Sequence, residues 1–82
     1  MVDRIRNILA RFPEDEFAVR QLIQDSAVFD ALCQQYADTD RKLRNIARTE
    51  KEETSPEARI LRDRRRAIEE EILTMIEGYA PV

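Results

Sequence analysis

Residues 26–50 read SAVFDALCQQYADTDRKLRNIARTE, and this stretch decides the fold. Phe29, Leu32, Tyr36, Thr39, Leu43 and Ile46 recur at intervals of three and four, which sets them on one stripe of an α-helix. Cys33 and Ala47 widen the stripe, and no Pro or Gly interrupts it. Asp25 or Ser26 can cap its start by accepting backbone N–H groups that lack an intrahelical partner.

A second stretch of the same kind opens at Ser55-Pro56-Glu57. Serine suits the N-cap, proline suits a first helical position whose N–H is not needed, and glutamate suits the positive helix end. Ala58, Leu61, Arg65, Ile68, Ile72, Met75 and Tyr79 then keep the three-and-four spacing, and Gly78 offers a left-handed stop with Pro81 beyond it. Short polar connections of the Lys51–Thr54 kind join antiparallel helical neighbours. The expected architecture is therefore all-α: a long antiparallel hairpin of residues 26–50 and 56–78, joined by a loop at 51–55. The loop position sets the register, with the numbers of facing residues summing to about 107, so that Ile46 meets Leu61 and Tyr36 meets Ile72.

Residues 1–25 read as short helices docked at the open end of the hairpin. Val2, Ile5, Leu9 and Phe12 form one amphipathic turn-set that Pro13 should end or bend. Phe17, Ala18, Leu22 and Ile23 form the next, with Phe12 and Phe17 flanking Pro13 as a corner plug. Spacing alone leaves open whether Asp25-Ser26 breaks the chain or lies within one bent helix. Two helices leave their seam half open to water, and a core this small supplies only about 3–5 kcal/mol. Docking of the N-terminal helices and dimerisation into a helical bundle would both cover that seam.

The composition narrows function by what it omits. The 82 residues hold no His, one Cys and one Gly. The usual general base and metal ligand are thus absent, a thiolate metal site cannot assemble, and no glycine loop can cradle a phosphate. No cofactor, no metal and no catalytic residue is expected, so the chain reads as a non-enzyme. Apolar runs reach only three residues, as in Ala27-Val28-Phe29, far short of the ~20 residues that span a bilayer. The first residues lack a basic segment followed by an apolar one, and the lone Cys33 fits a reducing compartment, so the cytoplasm is the expected location. Cys33 itself reads as core.

Charge is strongly segregated along the chain. Residues 1–40 carry four basic and eight acidic side chains, residues 41–66 ten and five, and residues 67–82 none and four. Folding into a hairpin turns this into a rod with a basic tip and an acidic base. Three readings compete for the pattern: a solvated surface laced with helix-stabilising pairs, antiparallel assembly of two rods, and phosphate binding. Arg59, Arg62, Arg64, Arg65 and Arg66 are the candidate anion-binding residues at the tip, although no aromatic residue stands there to stack a base. Arg65 falls on the apolar stripe. Its stem is expected to cover the seam while the guanidinium reaches water, with a half-buried pair to Asp40 as the alternative. At the other end the apolar face broadens through Leu73, Met75, Ile76 and Tyr79, the candidate partner-binding residues, with Ile60 beside the arginines as a second site. Tyr36 and Tyr79 are expected at the seam with their hydroxyls outward.

The segment Arg20-Gln21-Leu22-Ile23-Gln24-Asp25, then Phe29-Asp30-Ala31-Leu32, Tyr36 and Asp40 ahead of Leu43, and the basic helix Leu61–Ile72 resemble the small bacterial YdcH family. The resemblance covers about residues 20–77. Thr39 stands where that family has Leu before Asp, and residues 67–72 lack its Leu-Lys-Asp, which marks a divergent relative. The resemblance implies a helical hairpin of the bacterial cytoplasm and transfers no catalytic or binding residue. The function expected is a protein–protein interaction or assembly module, a homo-oligomer with the dimer favoured, binding an unidentified protein partner. The alternative is a nucleic-acid-binding bundle that works through its arginine tip.

Overall fold

A computed structural model describes residues 2–49 and 55–79 of the chain. It is all-α, with four helices and no strand among the described residues: α1 (Val2–Arg11), α2 (Glu16–Asp25), α3 (Ala27–Thr49) and α4 (Pro56–Gly78), with a 3-10 turn at Pro13–Asp15 between the first two. Helices α3 and α4 are each 23 residues long, or about 35 Å. Most of the expected loop, residues 51–54, lies outside the described residues.

Local chemistry explains each boundary. Phe12 leaves helical geometry at φ −127°, ψ 64° because Pro13 follows it, and the Asp15 N–H then bonds to the Phe12 carbonyl at 3.1 Å to close the 3-10 turn. The question at Asp25-Ser26 resolves as a break: Ser26 is extended, and its Oγ accepts from the Phe29 N–H at 3.1 Å, capping α3. Ser55 caps α4 in the same way, accepting from the Ala58 N–H at 3.2 Å. Gly78 departs from expectation. It takes no positive φ and is the last helical residue; the chain instead turns extended at Tyr79, whose N–H bonds to the Ile76 carbonyl.

Helices α3 and α4 are antiparallel, since Tyr36 bonds to Glu69 and Asp40 to Arg65, pairs whose numbers both add to 105. Those sums lie close to the expected value of about 107, and both expected pairs share a cluster, Ile46 with Leu61 near the tip and Tyr36 with Ile72 toward the open end. Two apolar clusters fill the bundle. Near the tip, Leu43 and Ile46 meet Ala58 and Leu61. Toward the open end, Phe29, Leu32, Cys33 and Tyr36 of α3 meet Ile68, Ile72 and Ile76 of α4, and Ile8, Phe12 and Val19 from the N-terminal helices complete the cluster. Helix α1 packs mainly on α3, while α2 touches both hairpin helices. The result is a rod of 47 × 22 × 22 Å.

The N-terminal faces differ in part from those expected. The buried residues are Ile8 of α1 and, just past its end, Phe12, with Leu9, Ala18, Leu22 and Ile23 packed at the edge. The side chain of Val2 lies outside the described residues. In α2, Val19 is the fully buried residue, whereas Phe17 is 64% exposed, so only Phe12 plugs the corner. Cys33 is fully buried, as read from its place on the stripe.

Candidate interaction surfaces

Between the two apolar clusters lies a polar layer. Arg65 of α4 donates to Asp40 Oδ1 of α3 at 2.8 Å, and Arg44 lies 3.2 Å from the other oxygen of Asp40. One helical turn toward the open end, the Tyr36 hydroxyl and Arg11 Nε both donate to Glu69 Oε2 at 3.0 Å. The layer therefore ties α1, α3 and α4 together. Arg65 does not reach past Asp40 into water, contrary to the expectation that it would cover the seam unpaired. Its side chain is one-third exposed and that of Asp40 about one-quarter, a depth at which an unpaired charge would be costly. Nor does the Tyr36 hydroxyl point outward; it bonds inward across the seam.

Burial first, and then the hydrogen bond to Glu69, raise the Tyr36 pKa from 10.0 to about 12. The folded state thus holds the phenolic proton more tightly than the unfolded chain does. This contribution is fully present below pH 10 and is lost as pH rises from 10 to about 12. In a Tyr79→Phe chain, Tyr36 is the single tyrosine, so ultraviolet titration should place its ionisation about two pH units above that of free tyrosine. The stability difference between wild type and Tyr36→Phe should be constant below pH 10 and shrink above it. A Tyr36 titrating at pH 10 would show that neither its burial nor its bond to Glu69 persists in solution.

The five tip arginines do not form one patch. Spacings of three and four set Arg59, Arg62 and Arg66 along one flank of α4, Arg64 lines a groove on the other, and Arg65 turns inward to Asp40. The structure shows a different cationic cluster that linear reading missed. Arg6 and Asn7 of α1 and Ala37, Arg41 and Arg44 of α3 line a cleft of about 180 Å³. The signal lay in Arg41, Arg44 and Arg48, spaced three and four apart; the contribution of Arg6 depends on how α1 docks. Two of these cations are already engaged, Arg41 with Asp38 at 2.7 Å and Arg44 with Asp40.

The apolar end also divides. Ile76 is 7% exposed and belongs to the core, so it is not a surface residue; it stands one turn beyond Ile72 on the buried stripe. Met75 packs half-buried against the same cluster. Leu73 is exposed at 39%, on the flank that faces Arg11 and Phe12. Tyr79 is half-buried and meets Phe17 edge to face, with ring centroids 6.4 Å apart. Ile60 stands out at 64% and Val28 at 66%.

The face of the hairpin opposite α1 carries a groove of about 380 Å³ between α3 and α4. Buried Leu32, Thr39 and Ile68 line it together with Gln35, Asp38, Lys42, Arg64, Ala67 and Glu71. Among the described residues, no cluster of carboxylates and thiols is arranged to hold a metal ion, and no helix is long and apolar enough to cross a membrane. Comparisons with protein-family models, with curated proteins and with solved structures gave no match to this chain.

Proposed function

We propose that this chain is a non-catalytic helical interaction module of the cytoplasm, which self-associates and binds a protein partner through apolar side chains left outside its core. The observation that carries the reading is the exposure of large apolar groups on the helix surfaces. Phe17, Val28 and Ile60 are each about two-thirds exposed, and Leu73 more than one-third. A single exposed apolar residue is ordinary, but an aromatic pair such as Phe17 and Tyr79 at one end of a rod is what partner surfaces use as an anchor. Divergent membership of the YdcH family is part of the same proposal and rests on the sequence resemblance alone.

The arginine cleft of α1 and α3 favours a second reading, binding of nucleic-acid phosphates. Capture from host lysate with the tagged chain, with and without nuclease, separates the two. The interaction reading expects discrete proteins that survive nuclease, are lost in a Phe17→Ser/Leu73→Ser chain, and barely respond to salt between about 50 and 200 mM. Recovery that collapses with nuclease, falls steeply with salt and is abolished in an Arg41→Ala/Arg44→Ala chain would replace it with the phosphate reading.

A further inference from the structure

We infer that two copies of this chain pair antiparallel, groove to groove, about a two-fold axis passing beside Ala67, with Arg64 of each copy set against Glu71 of the other. The inference deepens the self-association half of the proposed function and rests on it.

The outer edge of the groove is a stripe of α4 formed by Ile60, Arg64, Ala67, Glu71 and Thr74, spaced four, three, four and three. All five are exposed, so the stripe is a second helical face distinct from the buried one. It is built almost symmetrically about its centre. Ala67, the smallest side chain of the five, has a cation about one turn before it and an anion about one turn after it. Ile60 and Thr74 stand two turns out on either side. A two-fold interface requires the same patch on both copies to complement itself, and reversal of this stripe about Ala67 does so: alanine meets alanine, each Arg64 meets a Glu71, and each Ile60 meets the methyl of a Thr74. Among the described residues, neither Arg64 nor Glu71 has an ion-pair partner within its own chain. A methyl group at the crossing point lets two helix axes approach to about 8 Å.

Long-range charge selects the same orientation. Arg41, Arg44, Arg48, Arg59 and Arg62 lie in the tip half of the hairpin, and Glu69, Glu70, Glu71 and Glu77 in the other half. An antiparallel pair lays each basic tip beside an acidic base, whereas a parallel pair stacks like on like. Asp38 of each copy would lie near the axis, and Arg41 of its own helix already pairs with it at 2.7 Å.

Sedimentation equilibrium on the full chain supplies the first test. Wild type should dimerise in the micromolar range. Arg64→Glu and Glu71→Arg should each weaken the dimer by about tenfold or more, since each substitution turns two attractive pairs repulsive, and the combined swap should restore it. Both positions are exposed, and circular dichroism should show all three variants folded. Disulfide trapping supplies the geometry. Ala67→Cys should cross-link with itself, and Ile60→Cys should cross-link with Thr74→Cys but not with itself. A wild type that stays monomeric overturns the inference, as does a dimer indifferent to the charge swaps or an Ile60→Cys chain that cross-links alone. Partner capture through Phe17 and Leu73 is read independently, so a monomer that still captures protein removes this inference and leaves the partner-binding reading standing.

Discussion

Replacing Phe29 with Ala is expected to unfold most of the chain at 25 °C. Phe29 is fully buried at the point where α1, α2, α3 and α4 share one cluster. Truncating a buried phenylalanine costs about 3–5 kcal/mol, because the transfer energy of the ring is lost and the surrounding helices cannot collapse into the void. A domain of this size holds about that much stability in total. Far-ultraviolet circular dichroism should show the helical signal largely gone in dilute solution. Leu43→Ala is the informative contrast. Leu43 belongs to the smaller tip cluster, which contains no residue of the N-terminal helices. Its loss should lower the melting temperature while amide exchange around Ile8 and Val19 stays protected, since the larger cluster remains intact. A Phe29→Ala chain that melts within a few degrees of wild type would mean that the four helices do not share one core.

The hairpin was legible because both its long helices keep an unbroken three-and-four spacing over about six turns, and because Ser26 and Ser55 mark their starts with a chemistry that has few other uses. The short helices were harder to read. The ten residues of α1 offer Val2, Ile5, Ile8 and Leu9 as apolar choices, with Phe12 just beyond, and periodicity over less than three turns cannot decide which of them face inward. Ile8 and Phe12 win because they dock on α3, and no residue near them in sequence encodes where α3 lies. The same limit explains Phe17, which sits off the face that Val19, Leu22 and Ile23 define. Ile76 is a different case: the stripe expected from the spacing continues from Ile72 to Met75 and Tyr79, whereas the helix buries Ile76, four residues beyond Ile72. The polar layer was only half visible. Tyr36 and Arg65 were identifiable as stripe residues with polar ends, yet Glu69 and Arg11 lie 33 and 58 residues from the groups they meet. A hydroxyl's partner at that separation is set by the register of the two helices.

That register is what the Asp40–Arg65 pair should control, and its strength can be measured. Asp40→Ala leaves Arg65 partly buried without its carboxylate and is expected to cost about 1–2 kcal/mol; Arg65→Ala should cost a similar amount, part of it lost packing of the aliphatic stem. In a double-mutant cycle the coupling should be near 1 kcal/mol, above the few tenths typical of exposed pairs such as Arg20–Glu16, because both side chains are at least two-thirds shielded. Coupling below about 0.3 kcal/mol would reduce the contact to surface decoration. The apolar replacement is more telling. Asp40→Leu/Arg65→Leu joins the two clusters into one continuous seam, and a chain so altered should be as stable as wild type or more so, because it no longer desolvates two charges. Its hairpin, however, loses one of the two polar contacts described between α3 and α4, the other being Tyr36–Glu69. Cysteine pairs placed to report the native register and a register one turn away should then both cross-link in the leucine variant, while wild type traps the native pair alone. If the leucine variant is also confined to one register, the loop and the apolar spacing suffice to align the helices, and the pair has no part in choosing between them.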